Sequence, residues 1–376
     1  MQTKQMTSPW LLIIIFSLSL PCFHGRSQNT KPQEPEYECV DIYKQPSLQH
    51  PKLQNHQIQM RPSDEVLAML SGDTSANDEM VAEFDIPEEG CPQGQVPIHK
   101  PRNLNHTEKP FKPINGYGTV GQHAAVMKKI DATPWRGASA WFSIYQPKLT
   151  NKDQFSMSFM WLNTEYNGER TNAQFGWAVI PALYGDDRTR LTAYWSPDKI
   201  ENGCYNIQCK GFVQTDHRVA LGTGFSNTSV VGGNQYKAFF AISQDPKTKN
   251  LWLTVQKINI GYWPEELLPF FNDGAESVIY GGFTNAPSDN IQLFEIVSPP
   301  MGNGNKPLDE EVDLKHTCYM HSLKYVTPDY KSVDVDSNKV AEVADAGICY
   351  DAIYFDKLGG YGQTFTFGGP GGYCDV

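Results

Sequence analysis

From about Gly118 onward, apolar and polar positions alternate with a period of two. Phe155, Met157, Phe159 and Trp161 alternate with Ser156, Ser158 and Met160, which predicts a strand with one buried face. Leu251, Leu253 and Val255 alternate with Trp252, Thr254 and Gln256 in the same way. Phe239, Ile242 and their neighbours form a more continuously apolar strand. Turn residues cluster at Asn202-Gly203, Asp245-Pro246 and Asn272-Asp-Gly274. Helical periodicity is scarce, and the only short helix suggested in this part starts at Pro264, with Glu265 and Glu266 in its first turn. Many strands in one long stretch predict an all-β domain over residues 116–376, a large antiparallel sandwich or barrel.

The preceding stretch, residues 28 to about 115, is different. It is rich in Pro, Gln, His and Lys, with sparse apolar periodicity. One short helix is expected at Asp64–Leu70, with Ser63 as N-cap. So polar a segment cannot fold alone, and is expected to wrap the β domain as a mostly irregular cover. Before it, Trp10 to Leu20 is an apolar run ending at Pro21, too short to span a bilayer. With Lys4 ahead of it and the small residues Gly25 and Ser27 behind, it reads as a secretory signal over residues 1–27.

Secretion decides how the cysteines are read. Cys22 lies in the signal; the other seven are Cys39, Cys91, Cys204, Cys209, Cys318, Cys349 and Cys374. In an oxidising compartment they read as disulfides before metal ligands, with connectivity open. Asn105-His-Thr107 and Asn227-Thr-Ser229 are glycosylation sequons, which point to surface loops. The formal net charge is −11, without a Lys/Arg cluster, so nucleic acid is not an expected partner. The 18 tyrosines and 8 tryptophans suit a β core and also a groove for peptide or sugar. After signal removal no membrane association is expected, and the chain is expected to be a monomer.

Most catalytic patterns are absent. There is no His-Glu-x-x-His, and the nine histidines follow no metal-ligand spacing. Gly137-Ala-Ser-Ala-Trp141 lacks the last glycine of a nucleophile elbow. Cys204 and Cys209 have no second pair at zinc spacing. Asp334, Asp336 and Asn338 are spaced like part of a calcium loop, but Lys339 stands where the turn glycine belongs. No dinucleotide or phosphate loop is visible, so no metal and no cofactor is expected.

An ordered series of short motifs remains. Cys39-Val-Asp-Ile-Tyr-Lys-Gln-Pro46 and Cys91-Pro-Gln-Gly-Gln-Val-Pro-Ile98 lie in the polar segment. Ala173-Gln-Phe-Gly-Trp177, Leu183-Tyr-Gly-Asp186, Tyr194-Trp195 and Gly203-Cys-Tyr-Asn-Ile-Gln-Cys-Lys-Gly-Phe-Val-Gln-Thr215 follow. Gly232-Gly-Asn-Gln-Tyr236, Gly261-Tyr-Trp-Pro264, Tyr280-Gly-Gly-Phe283, Met301-Gly302 and Gly368-Gly-Pro-Gly-Gly-Tyr-Cys374 complete the series. In this order they resemble the neprosin family of secreted plant glutamic peptidases, including its activation peptide. The resemblance implies a β-sandwich with a cleft across one sheet, and a plant apoplast or cell-wall location. It also implies the pairs Cys39–Cys91, Cys204–Cys209 and Cys349–Cys374, leaving Cys318 as a buried free thiol.

The family's active site is a pair of glutamates. One lies three residues before the Gly-Trp tryptophan and the other directly follows an aromatic-Gly-Gly; here those positions hold Gln174 and Phe283. A glutamic peptidase needs one carboxylate as general base and a second group to hold and return a proton. Gln174 can donate a hydrogen bond but cannot take a proton, and a related class of acid peptidases does pair glutamine with glutamate. Phe283 offers neither donor nor acceptor. Glu295, on the strand face expected for Leu293 and Val297, and Glu165 and Glu169, in an expected loop before Gln174, are the nearest replacement acids.

The resemblance therefore implies an inactive homologue that keeps a peptide cleft lined by Trp177, Tyr194 and Tyr280. Proline-rich peptide is the expected ligand, since flat aromatic walls accept a proline ring on a preformed extended chain. A cell-wall polysaccharide is the variant. The alternative is an active post-proline endopeptidase with altered residues, kept latent by residues 28–115.

Overall fold

The computed structural model describes residues 36–71, 80–87, 89–100, 120–131, 133–166, 168–198, 202–287, 295–308 and 312–375. The signal segment 1–27 and the sequon at Asn105 lie outside them. Glu36–Val376 forms one compact unit. The polar segment contributes β1 (Tyr37–Asp41), α1 (Asp64–Ser71), β2 (Met80–Val81) and β3 (Gln95–His99). The helix falls where the sequence places it, and the Ser63 N–H before it is held by Asp245.

The remaining strands come in chain order as β4 (Gln122–Lys129), β5 (Gly137–Ser143), β6 (Phe155–Tyr166), β7 (Glu169–Val179) and, after the single turn of α2 (Pro181–Tyr184), β8 (Arg190–Trp195). Next are β9 (Cys204–Tyr205), β10 (Val213–Gln214), β11 (Tyr236–Gln244), β12 (Leu251–Val255), β13 (Ile258–Trp263) and β14 (Ser277–Asn285). The last are β15 (Cys318–Val326), β16 (Ser332–Asp334), β17 (Val340–Ala344), β18 (Asp351–Phe355) and β19 (Thr364–Gly368).

They build a sandwich. One sheet has seven strands in the order β17-β4-β14-β6-β7-β8-β9. The other has ten, with β10-β13-β12-β11-β5-β15-β19-β18 as its path. Every pairing is antiparallel except that of β2, which adds to β11 in parallel. The helix expected at Pro264 is a turn, closed by Leu267 N–H to Pro264 C=O, and is followed by a 3-10 turn at Pro269–Phe271.

Between the sheets lies the main core. Phe142, Phe240, Ile242, Leu253 and Val255 from the ten-stranded sheet meet Met127, Phe175, Trp177 and Tyr280 from the seven-stranded one. The β6 strand departs from the sequence expectation of one buried face. Phe155, Met157, Phe159 and Trp161 are buried, but so are Ser156, Ser158 and Met160. The first set joins a second cluster on the other side of the sheet, with Tyr184, Tyr194, Tyr205, Ile279 and Phe283. Small serines fit the close approach between sheets; large rings fill the opposite face.

Disulfides join Cys39–Cys91, Cys204–Cys209 and Cys349–Cys374. Cys318 is a buried free thiol; burial pushes it up to about 12 despite its contact with the Ser143 hydroxyl, so it is inert at neutral pH.

Candidate functional site

The seven-stranded sheet places Gln174 and Phe283 on one face. Gln174 lies opposite Trp161 of β6, which in turn lies opposite Ile279 of β14. Phe283 lies opposite Met157, which lies opposite Ala178 of β7. The two positions are thus two strands apart and four residues out of line. Because side chains in a strand alternate, that even offset keeps them on the same face.

Trp161 spans the space between them. It is the cross-strand neighbour of Gln174, and its ring packs on Phe283 at 5.6 Å between centroids. Phe155 stacks on Phe283 from another side at 6.4 Å. Phe283 is 2 % exposed, so an aromatic cluster fills the position of the second acid. Between the two positions the face carries Gly281, Phe159 and Gly176 in one row. Gly281 has φ +148°, and a Cβ there would stand 2.4 Å from the Ala125 carbonyl oxygen. The glycine next to the second dyad position is therefore required by the close approach of β4.

Around Gln174 the face sets polar atoms among the aromatic rings of Trp161 and Tyr194. Gln174 is 2 % exposed, yet its Oε1 accepts no hydrogen bond. The indole Nε1 of Trp161 and the Oδ1 of Asn172, two residues before Gln174 on the same face, are likewise buried and unbonded. Two unbonded acceptors and one unbonded donor thus occupy neighbouring positions of this face.

The expected cleft lining is corrected by the same alternation. Trp177 is three residues from Gln174 and Tyr280 three from Phe283, an odd offset that sends both to the opposite face. Trp177 Nε1 donates to the Ser143 carbonyl at 2.9 Å, and Tyr280 donates its hydroxyl to the Lys324 carbonyl at 2.6 Å. Both rings belong to the inter-sheet core. Tyr194 is on the site face, opposite Gln174, but is 1 % exposed and packs edge-on against Tyr205 at 5.0 Å. The residues that do form the face, Phe155, Phe159 and Trp161, were legible as an alternating run but carried no sign of being site residues.

The replacement acids do not converge on Gln174. Glu165 is not in a loop: it lies at the end of β6 opposite Arg170, and Glu169 opens β7. Glu165 is exposed, and four residues along the strand put it roughly 13 Å from the Trp161–Gln174 row. Glu295 is outside any strand and exposed. Among the described residues no group of three or more His, Cys, Asp or Glu is placed to hold a metal ion. The sequon at Asn227 is half-buried, and the Ser229 hydroxyl is engaged with the Tyr236 backbone.

At the rim of this face Arg190, opposite Ala178, is 1 % exposed. It is held by both carboxylate oxygens of Glu36 and by Asp186, and lies over the Tyr184 ring at 5.2 Å. Burial acts against its charge, but these two carboxylates more than offset that and raise its pKa.

A solved structure described as the crystal structure of Scytalido-glutamic peptidase with a peptide based transition state analog superposes with a TM-score of 0.31 at 11 % identity, over 66 % of this chain and 97 % of that one. The neprosin activation peptide model matches residues 32–110, and the neprosin model matches residues 152–370, more than half of the chain. The chain belongs to the neprosin family.

Proposed function

We propose that this protein is a secreted, catalytically inactive member of the family that binds extended, proline-rich peptide on the face of the seven-stranded sheet. The observation that carries the reading is Phe283. It stands at the second acid position, 2 % exposed and packed between Phe155 and Trp161. No side chain at that point can take or return a proton. Losing one general base costs roughly 10²–10⁴-fold, and losing a unit that acts together costs about 10⁶-fold.

Peptide binding is supported by the chemistry left behind. Trp161 Nε1 suits a ligand carbonyl, and Gln174 Oε1 and Asn172 Oδ1 suit a ligand N–H. Of the rings on this face Trp161, 6 % exposed, is the one with surface left for a proline ring, while Phe155 and Phe159 are fully buried. Three disulfides fit an extracellular setting, and with the family's plant membership support the apoplast or cell wall.

The test is incubation of the matured protein with a proline-rich substrate from pH 2 to 8, read by mass spectrometry. The expected result is no cleavage at any pH. Robust turnover, abolished by Glu295→Gln or Glu165→Gln, would instead establish an enzyme with a relocated acid.

A further inference from the structure

We propose that residues 36–100, although they match an activation peptide, are a permanent non-covalent partner of the sandwich, and that two glutamines, the buried Gln45 and the half-buried Gln59, make the docking permanent.

Gln45 is 1 % exposed and treats β10 as a neighbouring strand would. Its Oε1 accepts the Gln214 N–H at 2.8 Å, and its Nε2 donates to the Gln214 carbonyl at 3.1 Å and the Ile42 carbonyl at 2.9 Å. One side-chain amide thus satisfies both backbone groups of Gln214, on the strand that ends the path of the ten-stranded sheet. Gln59 does the same for the turn before β12 and for β12 itself. Its Oε1 accepts from Thr248 at 2.8 Å, Asn250 at 2.8 Å and Trp252 Nε1 at 3.2 Å, and its Nε2 donates to Asp245 at 2.9 Å. Its own N–H donates to the Tyr262 hydroxyl at 2.9 Å.

Apolar groups close around these amides. Leu48 and Ile58 pack on Val213, Trp252 and Tyr262, and Leu53, 2 % exposed, belongs to the main core of the sandwich. Taking the segment away would uncover two large aromatic rings and orphan the groups now bonded to the two glutamines.

The chemistry of the anchors distinguishes them from an acid-labile latch. A carboxamide does not titrate. Ionic contacts also cross the seam: Glu36 with Arg188 and Arg190, whose other partners are Asp85 and Asp186; Glu65 with Lys247; and His56 with Glu266. Acid weakens those. The one carboxylate among the anchors is Asp245. Burial would raise its pKa, but the N–H of Ser63, the Gln59 amide and the N–H groups of Lys247 and Thr248 hold it below its ordinary 3.8. Its contribution is complete above that value and is lost only as pH falls through the lower folded value, so at pH 4 the anchors are intact. Among the described cysteines no disulfide joins the segment to the sandwich, since Cys39 pairs with Cys91 inside it.

That last fact makes the test direct. A specific protease site is inserted between Lys100 and Gln122 in the full chain, the protein is cut, and size-exclusion chromatography is run at pH 7 and pH 4. The expected result is co-elution of both pieces at both pH values. In urea, the cut Glu65→Gln variant, which loses only the exposed pair with Lys247, releases the segment close to the unmodified midpoint. The cut Gln45→Ala/Gln59→Ala variant releases it at least tenfold more readily. If that double variant fails to fold, Gln59→Met, which keeps the size of the side chain, serves in its place with a lowered midpoint expected. Separation of the unmodified pieces at either pH overturns the proposal. Glutamine variants that hold the segment as tightly as Glu65→Gln overturn the role of the two amides. Neither outcome bears on catalysis, so both are separable from the proposed function.

Discussion

Around Gln174 the face of the seven-stranded sheet keeps buried polar atoms without partners; around Phe283 it is packed with apolar groups. The two positions, on the strands that flank β6, differ in what surrounds them. At the first position glutamine keeps the shape of glutamate, and the neighbouring Trp161 Nε1 and Asn172 Oδ1 remain without partners. At the second, a ring has joined Phe155 and Met157 in a packed cluster. Substitution by an isostere leaves a site's polarity in place. Substitution by an aromatic turns it into core.

The largest effect expected from this contrast follows from Phe283→Glu. A carboxylate placed among Phe155, Met157 and Trp161 has no described partner, and leaving a buried charge uncompensated costs about 3–5 kcal/mol. Burial raises the pKa of such an acid, so the variant binds its proton more tightly folded than unfolded. Its deficit in urea is expected to be small near pH 4 and to grow as pH rises toward 7. Adding Gln174→Glu to it tests whether the cleft can still work, with weak acid cleavage after proline as the outcome that would show the face is not irreversibly closed. A deficit independent of pH would show instead that water reaches Phe283.

A smaller loss is expected on the far face of the same strand. Tyr280→Phe removes the hydrogen bond to the Lys324 carbonyl, at about 1 kcal/mol, with no change in peptide binding. A binding defect in that variant would return Tyr280 to the site.

Gln174→Met reverses the sign. Removing a buried amide oxygen that has no partner is expected to leave stability unchanged or to raise it by up to about 1 kcal/mol, while lowering affinity for a proline-rich peptide followed by tryptophan fluorescence. A clear loss of stability would mean that Gln174 Oε1 is bonded to ordered water.

The smallest effect is a pH dependence on the inter-sheet side of β4, next to Ala124 of the apolar cluster. His123 of β4 lies 3.5 Å from Asp345 and 3.4 Å from Asp375. Burial opposes its charge, but the two carboxylates more than offset that and raise its pKa above 6.5. Its stabilisation is therefore full below 6.5 and is lost as pH rises through the higher folded value. A decline below about 1 kcal/mol is expected, and His123→Gln is expected to flatten it in urea titrations between pH 5 and 9.

Much of this protein was legible along the chain. Leu251, Leu253 and Val255 face the core as their alternation predicts, and α1 begins at Asp64. The two dyad positions were readable from short motifs because such motifs are local. The cleft lining was not: Trp177 and Tyr280 stand near the dyad positions in sequence, but three residues along a strand is the wrong face. Glu165 was read as loop because polarity near a turn conceals a strand end. Nothing local distinguishes the rings of Phe155 and Trp161 from ordinary core, since both faces of β6 are buried.

The sequence by itself determined the strand periodicity, the family, and the absence of a carboxylate at Gln174 and Phe283, because each of these is carried by side-chain identity at neighbouring positions. Only the tertiary structure decided which face of each strand meets the other sheet, that Phe283 is sealed by Trp161 and Phe155, and that Gln45 and Gln59 bind the N-terminal segment to strands more than 150 residues away. Those outcomes depend on cross-strand register and on which polar groups are left to be satisfied once the sheets have closed, and neither is written at any one position of the chain.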